Sequence, residues 1–289
     1  VQIDSVQVTD DLAATFPGVA FSAASLTSPT LTVNPAFNGA GDTALLAGTD
    51  VLAAGATATL SFSLTFNPGA NTGPFLNSAT AAGTSPAATP VGDVSDDGAD
   101  PDPNGNGDPT EAGENDPTPI AYVESPVLGV AKAAGTTADN GDGTFTVALS
   151  FVLENLGNVQ IDGVQVTDDL AAAFPGVAFS VASLTSPTLT VNPAFNGAGD
   201  TALLDGTDVL AAGATATISF SLTFDPGANP GPFLNSATAA GTSPAAAPVS
   251  DVSDDGTDPD PNGNGDPTET GENDPTPITF TETPVLGVA

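Results

Sequence analysis

The stretch ATATLSFSLTF, residues 56–66, alternates without a break: Ala56, Ala58, Leu60, Phe62, Leu64 and Phe66 fall on one face, Thr57, Thr59, Ser61, Ser63 and Thr65 on the other. A period of two is the signature of a half-buried antiparallel strand. FTVALSFVL, from Phe145, alternates in the same way, and GVAFS and TLTVN read as shorter strands bounded by Gly, Pro and Asn. In VQIDSVQV the apolar parity slips between Ile3 and Val6, which predicts a bulge or tight turn at Asp4 and Ser5, with Gly163 in the matching place of a second copy. ADNGDGT, residues 138–144, reads as a turn leading into a strand. No window carries a helical period, and DDLAATF suffices for one turn.

The second copy is the main organisational fact. VQIDSVQVTDDLAATFPGVAF from Val1 returns as VQIDGVQVTDDLAAAFPGVAF from Val159, and residues 1–131 and 159–289 differ at 15 positions. Seven to nine short strands per copy, separated by Gly and Pro, predict an all-β fold of tandem immunoglobulin-like β-sandwich domains. The expected division is 1–125, a repeat lacking its first strands; 126–283, a complete repeat; and 284–289, PVLGVA, the first strand of a following repeat. A chain that starts in mid-pattern reads as a piece of something longer, either trimmed from a repetitive polymer or built to lend strands between chains.

Composition narrows the function classes. Thirty-five acidic residues stand against one basic residue, Lys132, for a formal charge of −34. Nucleic acid and anionic membrane are therefore not expected partners, because phosphate binding needs Lys and Arg. Without Cys or His the chain has no disulfides, no thiol chemistry and neither of the common transition-metal ligands. No run reaches the ~20 apolar residues of a membrane span. An enzyme is not expected, since the carboxylates cluster in Pro- and Gly-rich segments that recur in both copies.

Those segments hold half of the acids, 18 of 35, within 93–116 and 251–274. Two carboxylates about 6 Å apart repel by roughly 0.7 kcal/mol even at the dielectric of water. DPDPNGNGDPTE, residues 100–111, places Asp100, Asp102, Asn104, Asn106, Asp108 and Glu111 at positions one, three, five, seven, nine and twelve of a loop with Gly105 at six, the EF-hand calcium pattern. Asp258, Asp260, Asn262, Asn264, Asp266 and Glu269 repeat the frame around Gly263. Calcium takes six to eight hard oxygens in a flexible cage, which alternate residues of a tight loop can supply. A partial frame lies upstream at Asp93, Ser95 and Asp97, repeated at Asp251, Ser253 and Asp255, with Asp96 or Asp100 as helpers. Pro101, Pro103, Pro109 and Pro117 exclude the paired helices of an EF-hand. The expected setting is a long loop before the last strand, near PTPIAYV.

ENLGNVQIDGVQVTDDL, FNGAGDTALLDGTDVLAAGATATISFSLTF and VSDVSDDGTDPDPNGNGDPTETGENDPTPI resemble the bacterial surface repeats known as domain of unknown function eleven. The resemblance covers nearly the whole chain. It implies an immunoglobulin-like module strung in large secreted or surface-anchored proteins, often adhesins or matrix proteins. The acidic loop also resembles those of the B repeats of serine-aspartate adhesins, where calcium rigidifies a stalk. The expected function is a structural repeat of an extracellular fibre or adhesin stalk at the cell surface, stiffened by Ca2+, with like repeats in the same or neighbouring chains as partners. The alternative is a module that itself binds carbohydrate or another surface.

Overall fold

The computed structural model describes every residue except Val285, Val288 and Ala289, and it divides into two units, Val1–Val123 and Glu124–Ala289. The strand expected at 284–289 includes those three residues and so lies outside the described residues.

The first unit contains β1 (Ile3–Asp10), α1 (Leu12–Thr15), β2 (Ala20–Thr27), β3 (Asp50–Leu52), β4 (Ser61–Asn67), β5 (Phe75–Asn77), β6 (Ala79–Thr84), β7 (Pro90–Val94) and β8 (Thr118–Ile120). The second contains β9 (Leu128–Ala134), β10 (Ala138–Asp139), β11 (Phe145–Asn155), β12 (Ile161–Asp168), α2 (Leu170–Ala173), β13 (Ala178–Thr185), β14 (Val209–Leu210), β15 (Thr215–Asp225), β16 (Phe233–Asn235), β17 (Ala237–Thr242), β18 (Pro248–Val252), β19 (Asp254–Asp255) and β20 (Thr276–Ile278). Seven of the twelve strands described in the second unit have five residues or more. The surplus over the sequence count consists of two- and three-residue pairings too short to show a period.

In the second unit a sheet ordered β13-β15-β11-β9-β19, with β10 on β11, faces a sheet ordered β14-β12-β17-β18, and β16 pairs with β20. The two sheets close on one core, in which Leu149, Phe151, Leu153, Ile161, Val166 and Leu222 are all fully buried. Full burial of such a side chain is worth about 1.5–3 kcal/mol. All pairings are antiparallel except β19 on β9. This is an all-β sandwich. Along β11 burial alternates residue by residue, as FTVALSFVL predicts, from Phe145 opposite Phe224 to Glu154 opposite Thr215. Asn155 ends the strand fully buried, donating through Nδ2 to the carbonyls of Val159 and Leu210 at 2.8 and 2.9 Å.

The same sequence behaves differently in the first unit. There the alternation in ATATLSFSLTF becomes a strand only from Ser61, and its apolar face is half-buried, whereas the matching β15 begins at Thr215 and is buried throughout. The cause is the neighbour: β15 lies between β13 and β11, while β4 pairs with β2 alone. Consequently the first core reduces to Leu12, Phe16, Val19, Phe37, Leu45 and Phe75.

Local signals are met at several points. β1 changes register between Ile3 and Val6, where Ser5 has φ 55, and Gly163 holds the matching bulge at φ 62. The bulge needs a left-handed residue, which Gly supplies without steric cost. DDLAATF makes the single turn α1, whose first N–H groups are capped by Asp11 accepting from Ala14 at 3.0 Å. TLTVN differs from expectation. Only Val33 bridges, to Leu46, because the Asp50 carboxylate takes the N–H and hydroxyl of Thr32 between two prolines.

Candidate metal centre

The acidic segment runs from β7 to β8 and from β18 to β20, so an additional strand, β7 or β18, stands between FLNSATAA and the loop. The loop is coiled by its own side chains. In the second unit Asp260 accepts from the N–H groups of Gly263 and Asn264 through Oδ1, at 3.1 and 3.2 Å, and from Gly265 through Oδ2 at 2.7 Å. Asp258, Asn262, Asn264 and Asp266 each accept from the backbone N–H two residues on. These are Asx turns, at every alternate residue from Asp258 to Asp266 except Asp260, with Gly263 and Gly265 at φ 71 and 85 where the chain must turn left-handed. Glu269 closes the loop, its Oε2 accepting from Asn262 Nδ2 at 3.2 Å.

The first unit repeats the arrangement. Asp102 accepts from the N–H groups of Asn106 and Gly107, Asp100 from Asp102, and Asp108 from Thr110. Glu111 Oε2 accepts from Asn104 and Asn106 at 3.2 and 3.0 Å. Among the described residues no three carboxylates converge closely enough to grip an ion by themselves.

A further carboxylate, absent from the sequence pattern, points into each loop. Glu272 is 4% exposed; its Oε1 accepts from the N–H of Asn262, and its Oε2 is buried with no hydrogen-bond partner among the described residues. Glu114 does the same over Asn104. The signal for it was available as a second acid three residues after Glu111 and Glu269. The donor set is thus hard oxygen throughout, carboxylate and amide, which fits calcium in kind. A cation on Glu269 or Glu111 has to displace the asparagine NH2 groups now bound there.

The partial frame is put to other use. Ser253 exchanges two bonds with Ala237, Oγ accepting its N–H at 2.9 Å and its own N–H donating to the carbonyl at 2.8 Å, and Ser95 clamps Ala79 identically. Asp251 turns to β9, accepting from the Val130 N–H at 2.8 Å, while Asp255 pairs with Lys132 in β19. Asp93 lies in β7 opposite Ala81, and Asp97 is exposed. Ser95, Ser253, Asp251 and Asp255 are thus engaged in strand pairing and closure.

β9 is what the loop covers. A Cβ built on Gly129 lies 2.8 Å from Pro259 Cβ and 3.2 Å from Pro267 Cβ, so the loop prolines sit directly on the strand. Beneath them Lys132 is fully buried, with Nζ 2.7 Å from Asp168 Oδ2 and 5.2 Å from the centre of the Phe151 ring. Asn235 also donates to Asp168 Oδ2, at 3.3 Å. Burial lifts the Asp168 carboxyl and lowers the Lys132 amine, and each is held back by the charge of the other.

Burial also pushes Asp251 up to about 7, against the hydrogen bonds it accepts from Val130 and Val252. A carboxyl whose folded value exceeds its unfolded one costs stability as pH rises above the unfolded value, and the cost levels off past the folded one. Asp251→Asn should therefore stabilise the second unit at pH 8 and leave it unchanged near pH 4. Urea unfolding of both proteins in chelator across that range checks this; a pH-independent difference refutes the assignment.

None of the known protein families and none of the curated proteins matches the chain. Solved structures that resemble it include a GH20 exo-β-N-acetylglucosaminidase from Vibrio harveyi, 17% identical over 45% of this chain and 18% of that one, with a TM-score of 0.26. The N-terminal domain of PorA is 11% identical over 44% of this chain and 96% of its own, at 0.25. A family 3b carbohydrate-binding module from Clostridium clariflavum is 15% identical over 33% of this chain and 69% of its own, at 0.17. The chain thus spans less than a fifth of the length of the glucosaminidase.

Proposed function

We propose that the chain is a structural repeat of an extracellular fibre or adhesin stalk, in which calcium bound by the acidic loops fixes those loops to their sandwiches. The observation that supports this best is Glu272, sealed into the loop with an oxygen that has no hydrogen-bond partner among the described residues. A buried carboxylate oxygen left unpaired is costly. A divalent ion offsets that cost. Asp260, Asn262, Asn264, Glu269 and Glu272 would have to draw together to hold it in the second unit, and Asp102, Asn104, Asn106, Glu111 and Glu114 in the first, since their carboxylates do not converge as they stand. The ion would supply charge neutralisation only, with no reaction. A loop tied at both ends by strands and seated on Gly129 through prolines transmits its order to the sandwich.

Calorimetric titration of metal-free protein should reveal two sites per chain, with dissociation constants of about 10⁻⁴ to 10⁻³ M. At tenfold excess over that constant each site adds about 1.4 kcal/mol to the stability of its unit. Glu269→Gln should weaken one site at least tenfold and spare the other. Absence of binding heat and of any change in loop amide exchange at 10-fold higher calcium would defeat the proposal.

A further inference from the structure

The two units present the same residues to two different surroundings, and the difference defines a docking slot. In the second unit β9 is held, besides its ladders with β11 and β19, by four further contacts. Asp251 accepts the Val130 N–H, the Lys132 ammonium reaches Asp168 at 2.7 Å, and the Lys132 carbonyl accepts from the Gly256 N–H at 2.9 Å and from Thr276 Oγ1 at 2.7 Å. β11 then pairs with β15 from Phe145 to Glu154.

All four acceptors and donors recur in the first unit at Asp93, Asp10, Gly98 and Thr118. Asp10 is 4% exposed. Its Oδ2 accepts from Asn77 at 3.1 Å, its Oδ1 is buried with no hydrogen-bond partner among the described residues, and no ammonium faces it. Asp93 Oδ1 is in the same condition. Asp93 helps to line an open groove of about 510 Å³ walled by Ile3, Val6, Leu52, Ala81, Val91 and Pro109. Pro109 corresponds to Pro267, which in the second unit rests on Gly129. Among the described residues the outer edge of β4 carries no partner strand.

We propose that this face of the first unit is a docking slot for a strand pair of the sequence Leu128–Asn155 borne by another repeat of this type, with its lysine on Asp10. Charge selects this occupant over an arbitrary apolar segment. The buried Asp10 needs a cation, and the only basic residue in the sequence is the one on that strand. Register selects it again: the edge of β4 has the sequence that β11 already pairs with in β15, and the Asp93 carboxylate stands where a strand N–H is received in the sister unit. Added strands of this kind take affinity from main-chain bonds and specificity from alternate side-chain pockets. The inference does not require bound calcium: Pro109 of the loop walls the slot, but the docking segment contains none of the proposed ligands, and the test is run in chelator.

The test adds a synthetic peptide of residues 124–158 to the full chain in chelator. Saturable one-to-one binding is expected, with amide exchange slowed across Ser61–Asn67 and the melting transition of the first unit raised. The peptide carrying Lys132→Met, and the chain carrying Asp10→Asn, should each bind at least tenfold more weakly. If the free peptide self-associates, the same segment joined ahead of Val1 must protect Ser61–Asn67 and lose that protection with its lysine replaced. Unprotected β4 amides in both formats overturn the proposal, as does equal binding by the Met peptide. Protection that grows with chain concentration without any peptide, and that is undiminished in the chain carrying Asp10→Asn, also overturns it, since the slot would then be filled by self-association of the edges and not by the lysine-bearing segment of another copy.

Discussion

Lys132→Met should lower the stability of the Glu124–Ala289 unit by about 3–5 kcal/mol, because it leaves the Asp168 carboxylate buried without a counter-charge. The pair is sealed, with both side chains 0% exposed, so salt should not screen it away as it does surface pairs. The loss carries a pH signature. Burial already lifts Asp168, and removing the ammonium takes away the main influence holding it down. With a folded value above the unfolded one, the variant pays its penalty at neutral pH and recovers as pH falls and the carboxyl takes up a proton. Urea unfolding at pH 7 and pH 4.5 should therefore show the difference from wild type shrinking in acid. The double change Lys132→Met with Asp168→Asn should recover most of the loss, since neither partner is then charged. A single variant within 1 kcal/mol of wild type at pH 7 would mean that the pair adds little beyond packing.

This ion pair is also the feature that sequence reading missed most completely, and the reason is physical. Strands with one wet face advertise themselves by alternation, as Phe145–Asn155 does. β9 is covered on both sides, by the facing sheet and by the loop prolines, and its first five residues are all buried. A strand of that kind reads as a continuous apolar run, here VLGVAKAA, and gives no hint of which way its lysine points. The acidic loop was legible in spacing but ambiguous in meaning. Asp and Asn at every second position serve a chain of Asx turns as well as an ion, so the pattern alone does not separate the two. Glu272 is the residue on which the proposed ion rests, since one of its oxygens accepts from the loop backbone and the other is sealed without a hydrogen-bond partner among the described residues. Strand length, in turn, was not a property of the segment. ATATLSFSLTF and ATATISFSLTF differ at one residue, yet they contribute six and ten residues to their strands according to whether a neighbour lies alongside.

Gly129→Ala tests whether the loop and the strand beneath it act together. The backbone at Gly129 is not left-handed, so the added methyl brings packing strain alone: its carbon falls 2.8 Å from Pro259 Cβ and 3.2 Å from Pro267 Cβ. Proline rings cannot swing aside as a long flexible side chain does, so either β9 or the loop must move, at a cost of about 1–3 kcal/mol. β9 is fixed by its ladder with β11 and by the Lys132 pair, whereas the loop is tied mainly by its own turns. The loop should yield. Its amides should then exchange faster from Asp258 to Glu269, and calcium should bind there about tenfold more weakly, although every oxygen of the site is untouched. The loop around Asp100 to Glu111 belongs to the other unit and serves as the internal control, with its affinity unchanged. A variant that loses stability while both loops keep the same affinity would show that metal binding and strand cover are separate, and the ion could not then be what fastens the loop to the sandwich.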